Sequence, residues 1–148
     1  QNGSLDLALL YNPPPMGTDI VIELLTDEKL VLVTTREEGA GEDIGPYIHV
    51  DWGSSFASSV HAAYPGLASN DLYVSHGPLA LLYLLEVGGC GYFRLGAVRR
   101  FLSAGTLRRV KGAPEFSHSL HMVYSTSAKP ETVQLMRNGF RTISSLHH

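Results

Sequence analysis

The spacing of apolar residues along the chain predicts short strands interleaved with helices. Residues 5–11 form an apolar segment closed by Asn12 and three prolines, which is typical of a buried strand that ends in a stiff turn. Further apolar, partly β-branched runs predict strands at 20–25, 29–35, 47–50, 72–74, 91–93, 106–110 and 120–125. Apolar residues at helical spacing, bounded by small polar residues, prolines and glycines, predict helices at 54–64, 75–87, 97–104 and 130–143.

The alternation of strands and helices between residues 47 and 104 favours an α/β fold with mostly parallel strands. In such sheets, ligands bind beyond the carboxyl ends of the strands, close to helix N-termini. The pattern puts three segments at such positions: 51–55, 75–79 and 92–97.

Composition narrows the functional classes. The chain has 148 residues and a net charge of −3, with a pI near 6.1, whereas a free-standing nucleic-acid binder is usually basic. A single cysteine excludes a disulfide scaffold, and 17% charged residues exclude disorder driven by charge. No apolar run reaches about 18 residues, and the N-terminus lacks the pattern of a signal peptide, so we expect a cytoplasmic protein without a membrane partner.

Charge is distributed unevenly along the sequence. Eight acidic residues and two basic residues lie from Asp19 to Asp43, whereas six basic residues and no acidic residue lie between Glu86 and Glu115. Three interpretations stay open at this point: two solvated faces, complementary halves of a self-association interface, or an anionic ligand near the basic half.

Candidates for covalent catalysis are weak. Cys90 lies among glycines, and His49 or His76 would have to serve as its base, but no cysteine-hydrolase signature surrounds it. Ser54 and Ser75 lack the Gly-x-Ser-x-Gly context of an exposed nucleophile. We therefore do not expect an enzyme, although a hydrolase that uses Cys90 or a serine is one alternative.

Metal and cofactor motifs are also weak. The pairs His49/Asp51 and His118/His121 supply too few ligands for a metal site, which needs three or four. The glycines around Cys90 lack the rest of a dinucleotide or phosphate-loop motif. No metal and no cofactor are expected.

The residues at the strand ends suit a binding surface better than a reaction. Trp52, Tyr92 and Phe93 lie where an aromatic ring can stack on a small ligand or wall it. Ser54 and Ser75 lie at helix starts, where hydroxyl and backbone N–H groups can hold an anion. The alternative is that the aromatic residues are core and the serines only cap their helices.

Five short motifs follow one another along nearly the whole chain: Gly-Ser-Leu-Asp-Leu-Ala-Leu (3–9), Leu-Val-Leu-Val (30–33), Tyr-Ile-His-Val-Asp-Trp-Gly (47–53), Gly-Gly-Cys-Gly-Tyr-Phe (88–93) and Gly-Thr-Leu-Arg-Arg-Val (105–110). This succession resembles the effector-binding region of LysR-type transcriptional regulators. The resemblance implies a type 2 periplasmic-binding-protein-like fold, with two α/β lobes joined by two crossover strands and an effector between them.

The resemblance also implies a domain assignment. Residues 1–20 would be a remnant of the first lobe, 21–125 the complete second lobe, and 126–146 a C-terminal helix that returns to the first lobe. The chain begins without Met and has no counterpart of the winged helix-turn-helix, so we expect an N-terminally truncated regulator. Residues 147–148 are expected to be the start of a purification tag.

Effector contacts carried over from the family fall on strand ends and the crossover. They are Thr34, Thr35, Asp51, Trp52, Ser54, Ser75, His76, Tyr92 and Phe93. Where many members have a proline shortly after the glycine-rich strand, this chain has Arg94 or Leu95, a departure that would select an anionic effector.

The sequence therefore predicts the effector-binding and oligomerisation domain of a bacterial regulator. Its partners would be a small-molecule effector and further copies in a homodimer or tetramer, with the last helix and the helix at 54–64 as interface candidates. DNA would be bound only through the missing winged helix-turn-helix, and RNA polymerase would be met in the intact protein. A solute-binding module of a transport system is the main alternative.

Overall fold

The computed structural model describes residues 7–38, 43–67 and 72–146, with side chains up to residue 142. The described strands are β1 (Leu7–Tyr11), β2 (Ile20–Thr26), β3 (Lys29–Thr34), β4 (Tyr47–Val50), β5 (Leu72–Val74), β6 (Cys90–Arg94), β7 (Arg108–Arg109), β8 (Phe116–Ser117) and β9 (Leu120–Ser125). The helices are α1 (Ser54–Ala63), α2 (Gly77–Val87), α3 (Leu95–Ala104) and α4 (Pro130–Leu146).

The predicted elements match this order closely. Strand β8 was not predicted, because two residues carry no periodic pattern. Helix α3 begins two residues earlier than predicted, at Leu95, and α4 extends three residues further, to Leu146. The first two residues of the predicted first strand and the proposed tag at 147–148 lie outside the described residues.

The chain forms two compact units, each with its own sheet. The smaller unit comprises residues 1–28 and 117–148, and the larger unit comprises residues 29–116. The lobe boundaries at 20/21 and 125/126 that the resemblance implies stay a prediction. Strands β2 and β9 pair with β1 in the sheet of the smaller unit, which sets the bounds of that unit.

The smaller unit is an antiparallel sheet in the order β1-β9-β2. Leu9 lies opposite Met122 and Ile22 lies opposite Val123, and both β9 residues are fully buried. Helix α4 is tied to β2 by Arg137, which donates two hydrogen bonds of 2.6 Å to the Glu23 carboxylate.

The larger unit contains a mixed sheet in the order β5-β4-β6-β3-β7, and Phe116 of β8 belongs to this unit. Strand β4 runs parallel to β5 and β6, whereas β3 runs antiparallel to β6 and β7. The parallel strands predicted between residues 47 and 104 are β4, β5 and β6, so that prediction is confirmed, whereas β3 and β7 lie outside the predicted range.

Alternation along these strands builds one apolar cluster on each face of the sheet. Val31, Val33, Ile48, Val50 and Phe93 pack with residues of α2 and α3. The opposite set, with Leu30, Leu32, Tyr47, Cys90 and Tyr92, packs with residues of α1. The two clusters hold the sheet between the helices on its two faces. They thereby position the edge at which β4, β5 and β6 end.

Candidate functional site

Three helices begin at one edge of the larger sheet, which we call the carboxyl edge. Strand β4 ends at Val50, β5 at Val74 and β6 at Arg94, and these strands are parallel. Helices α1, α2 and α3 begin within four residues of those ends. Because the N-terminus of a helix carries partial positive charge and unpaired N–H groups, this edge is suited to an anion.

Thr34 and Thr35 lie at the opposite edge of the same sheet. In the antiparallel pairing of β3 with β6, Leu30 faces Arg94 and Thr34 faces Cys90. Four residues separate the two levels, about 13 Å along a strand. The structure therefore separates these two threonines from the other predicted effector contacts.

Both threonines hold loops at their own edge. The Thr34 hydroxyl donates to the Ile44 carbonyl oxygen at 2.6 Å, and Thr34 is fully buried. The Thr35 hydroxyl oxygen accepts a hydrogen bond of 2.9 Å from the Gly89 N–H. These contacts give both side chains a structural role that needs no ligand.

Trp52 lies at the carboxyl edge and is half-buried. Its indole Nε1–H donates to the Tyr92 carbonyl oxygen at 2.9 Å. Its ring lies so close to Gly77 that a Cβ atom there would stand 2.8 Å from Trp52 Cη2. Trp52 therefore joins the loop after β4 to both β6 and the start of α2.

Tyr92 and Phe93 are core residues, which is the alternative that the sequence left open. Their exposed fractions are 0% and 2%. The Tyr92 hydroxyl donates to the Pro114 carbonyl oxygen at 2.9 Å. Neither side chain can contact a ligand in this conformation, so their expected role as walls of the site is corrected to a supporting one.

Asp51 is exposed at the end of β4, but its carboxylate is already engaged. It accepts a hydrogen bond of 2.9 Å from the Gly53 N–H and a second one from Tyr73. The Gly53 backbone N–H is the main reason why the pKa of Asp51 lies below its ordinary value. The same contact with Asp51 raises the pKa of Tyr73. Asp51 thus stays ionised and shapes the loop.

The two serines are exposed, and neither caps its helix through its side chain. Gly53, at φ +102°, is the N-cap of α1, so the predicted cap at Ser54 lies one residue too late. His76 is the N-cap of α2, and its Nδ1 accepts a hydrogen bond of 3.2 Å from the Leu79 N–H. Within the described part of the chain, the hydroxyls of Ser54 and Ser75 make no hydrogen bond, so both can serve a ligand.

Arg94 completes the edge, although the predicted contact residues did not include it. It is exposed, ends β6 and forms the N-cap of α3. No acidic side chain among the described residues pairs with it. One feature of the sequence pointed to Arg94. This chain has Arg94 or Leu95 where many LysR-type regulators have a proline, and that difference suggested an anionic effector.

Basic residues further along the chain are paired within the larger unit. Lys111 Nζ lies 2.6 Å from a Glu38 carboxylate oxygen, and Arg109 pairs with Glu115. Arg108 Nε donates to the Arg36 carbonyl oxygen at 2.8 Å. Of these contacts, the ion pair of Lys111 with Glu38 joins the basic run to the acidic run within one molecule.

Cys90 is buried, and its Sγ donates to the Gly45 carbonyl oxygen at 3.6 Å. Burial raises the pKa of the thiol from 9.0 to about 12, which is the reverse of what a nucleophilic cysteine needs. His49, its proposed base, lies on β4 between the rings of Phe56 and Tyr73. Burial lowers the pKa of His49.

The described residues contain neither a metal-binding cluster nor a membrane-spanning helix. No group of three or more His, Cys, Asp or Glu residues there is arranged to hold a metal ion. None of the described helices is both long and apolar enough to cross a membrane.

No protein-family model matches the sequence, and no curated protein matches it either. Solved structures, in contrast, do match this chain. The bromide-bound regulatory domain of HypT from Salmonella typhimurium has a TM-score of 0.72 at 12% identity, covering 95% of this chain and 73% of that one. Full-length HypT, a hypochlorite-specific LysR-type transcriptional regulator, has a TM-score of 0.72 at 11% identity, covering 98% and 54%. The regulatory domain of AphB from Vibrio vulnificus has a TM-score of 0.61 at 12% identity, covering 93% and 75%.

These matches confirm the fold that the sequence resemblance implied. The chain has the periplasmic-binding-protein-like fold of LysR regulatory domains. It spans about half the length of full-length HypT.

Proposed function

We propose that the chain is the effector-binding domain of a LysR-type transcriptional regulator and that it binds a small anionic molecule at the carboxyl edge. The observation that carries the proposal is that three helices begin at one edge of a sheet with the fold of LysR regulatory domains, beside Arg94, which pairs with no acidic side chain of the described residues. The bromide ion held by the HypT regulatory domain supports an anion as ligand. These neighbours favour a regulator over a transport module.

The proposed contacts are Arg94, Ser54 and Ser75, together with the first turns of the helices that follow β4, β5 and β6. Arg94 supplies the positive charge, and the serine hydroxyls, which bond to no described residue, supply directional donors. His76 orients α2 through its Nδ1. Asp51 and Trp52 shape the loop between β4 and α1 rather than hold the ligand.

The proposed mechanism is a shift of population and involves no covalent step. An effector that binds one conformation more tightly raises the share of that conformation, and copies in a homodimer or tetramer relay the change. The winged helix-turn-helix of the whole regulator would then bind DNA with a different affinity. The change would alter the contact with RNA polymerase, and the whole process would take place in the cytoplasm. The buried Cys90 thiol supports a role other than catalysis.

Thermal unfolding with a panel of small carboxylates, phosphates and halides tests the proposal. A ligand at about 100 times its Kd stabilises the folded state by about 2.7 kcal/mol, which raises the Tm by several degrees. At least one anion of the panel should do so for the wild type, and Ser75→Ala and Arg94→Gln should reduce that shift by at least half.

Arg99→Gln is the matched control, because Arg99 is also an exposed arginine of this region but lies within α3, beyond its first turn. Its shift should equal that of the wild type. A panel without effect, or equal losses for Arg94→Gln and Arg99→Gln, would overturn the proposed site. Trp52→Ala is a poor probe of binding, since it also removes the contacts with Tyr92 and Gly77.

A further inference from the structure

An exposed tyrosine ring lies at the outer edge of the larger sheet. Tyr73 is the middle residue of β5, and it is 58% exposed. Strand β5 ends the strand order β5-β4-β6-β3-β7, so no described strand lies beyond it. On the inner side, His49 of β4 is in register with Tyr73. The ring therefore has one side toward the sheet and one side away from it.

The Tyr73 ring is held in place although it is exposed. Its centroid lies 5.8 Å from that of the His49 ring at an interplanar angle of 28°, and His49 in turn stacks on Phe56 of α1. The Tyr73 hydroxyl donates a hydrogen bond to the Asp51 carboxylate. A ring that is held along its inner face and at its hydroxyl loses little further freedom when a ligand stacks on its outer face.

The Asp51 carboxylate adds a negative charge beside the ring. No basic side chain of the described residues forms a salt bridge with it. Burial lowers the pKa of the neighbouring His49 from 6.5, so that imidazole is neutral at pH 7.

Part of the hydrogen-bonding capacity of Asp51 is open to a donor from outside. The carboxylate accepts hydrogen bonds from the Gly53 N–H and from the Tyr73 hydroxyl. A carboxylate has about four acceptor positions, so about two are left. Because Asp51 is exposed at the end of β4, a ligand can reach them.

Both parts of this arrangement attract a cation. The face of an aromatic ring carries partial negative charge, and the carboxylate beside it carries a full one. An ammonium ion is compact and strongly hydrated, whereas a guanidinium group is flat, weakly hydrated and able to donate two parallel N–H groups to one carboxylate. The flat, exposed ring and the open carboxylate positions therefore favour a guanidinium group over an ammonium ion.

We propose that Tyr73 and Asp51 form a guanidinium-binding site, in which the group stacks on the outer face of the Tyr73 ring and donates to the Asp51 carboxylate. His49 is a positioning residue, because it supports the ring from the inner side. The ligand of this site has the charge opposite to that of the proposed effector. The inference therefore goes beyond the proposed function and does not depend on it.

A nuclear magnetic resonance titration tests the site, with acetyl-arginine amide as the probe. The backbone N–H signals of Gly53 and Tyr73 should shift in a saturable way, with a Kd in the millimolar range. Acetyl-citrulline amide has nearly the same shape without the charge and should bind at least fivefold more weakly. Acetyl-lysine amide should fall between the two. A wild type without saturable shifts, or equal binding of the three probes, overturns the proposal.

Two substitutions separate the charge from the ring. Asp51→Asn removes the charge and keeps an oxygen that can accept the Gly53 N–H, whereas Tyr73→Leu removes the ring. Each should weaken the binding of acetyl-arginine amide at least fivefold, and circular dichroism verifies that each variant is folded. An affinity equal to that of the wild type in either variant overturns the site.

Tyr11→Leu is the matched control. Tyr11 is 55% exposed and also stacks on a histidine, His118, but it belongs to the smaller unit, whereas Asp51 belongs to the larger one. The affinity of this variant for the probe should equal that of the wild type. A loss as large as that of Tyr73→Leu would indicate unspecific stacking on exposed rings, which overturns the site.

A second probe distinguishes the source of the guanidinium group, which is either an arginine side chain of a partner protein or a free small molecule. The pentapeptide acetyl-Ala-Ala-Arg-Ala-Ala-amide should bind at least fivefold more tightly than acetyl-arginine amide if a protein segment is the source. The reason is that the outer backbone groups of the edge strand β5 can pair with an extended peptide. Equal affinities of the two probes assign a free small molecule to the same site.

Discussion

The indole Nε1–H of Trp52 donates a 2.9 Å hydrogen bond to the carbonyl oxygen of Tyr92. Strand β4 ends at Val50, so its backbone pairing with β6 ends there as well. The Trp52 side chain adds one more hydrogen bond to β6 beyond that end. The loop that leads to Ser54 is thereby held beside the strand that leads to Arg94. The carboxyl edge therefore depends on the backbone carbonyl of Tyr92 and not on the buried side chain of that residue.

We predict that Trp52→Phe lowers the free energy of unfolding by about 1 kcal/mol or somewhat more, because it deletes a hydrogen bond to a partly buried carbonyl. The phenyl ring retains much of the apolar contact. Urea unfolding followed by circular dichroism measures the change. An unchanged midpoint at an unchanged slope would show that the bond does not hold the loop.

Gly77→Ala should displace Trp52, because the new Cβ atom would stand 2.8 Å from the indole ring. Trp52 is the single tryptophan of the chain, so its fluorescence reports the displacement directly. We expect a shifted emission maximum and a loss of stability of about 1–3 kcal/mol from overpacking. Gly66→Ala is the control, since a Cβ there meets nothing within 4 Å. Identical spectra for the two variants would contradict the contact.

The periodic pattern predicted most of the fold, because strands such as β4 and β9 have strong apolar faces and clear turn residues around them. It could not predict that β3 runs antiparallel to β6, since strand direction depends on pairing far along the chain. That direction carries Thr34 to the edge opposite the carboxyl edge, where we propose that the effector binds. The family resemblance implied both Thr34 and Ser75 as effector contacts, and the sheet topology separates the two residues.

Stability should fall as the pH rises from about 9 toward 12. Burial raises the pKa of the Cys90 thiol from 9.0 to about 12, and it also raises the pKa of Tyr47 and Tyr92 above 10.0. These groups are neutral in the folded state while the unfolded state already ionises, so the unfolded state gains up to about 1.4 kcal/mol per pH unit from each group. Below pH 9 they add no pH dependence.

Cys90→Ala provides the comparison for that pH profile. Between pH 9 and 10 its stability should decline less steeply than that of the wild type, because the thiol titrates first. Thermal unfolding at pH 8, 9 and 10 measures both slopes. Parallel slopes would show that the thiol is accessible to solvent when the protein is folded.

The pair of Glu23 and Arg137 should make the smaller unit sensitive to acid. Hydrogen bonds from Arg137 hold the pKa of Glu23 below 4.5. A lowered pKa stabilises the folded state above 4.5, and this stabilisation is lost as the pH falls through the folded-state value. Glu23→Gln should therefore be less stable than the wild type at pH 7 and equal to it near pH 2.

Arg137→Lys serves as the control for geometry. It keeps the charge but loses the two-pronged contact, so its stability at pH 7 should lie between those of the wild type and Glu23→Gln. Thermal unfolding at both pH values measures the difference. A gap between Glu23→Gln and the wild type that persists at pH 2 would point to packing rather than to the ion pair.

The most direct test of the anion-binding carboxyl edge is native mass spectrometry of the chain saturated with the anion that stabilises it best, beside the doubly substituted variant Ser75→Ala/Arg94→Gln. We expect one bound anion per chain for the wild type, released on denaturation, and at least tenfold lower occupancy for the variant. Equal occupancy in the two proteins, or a wild type without bound anion, would contradict this expectation.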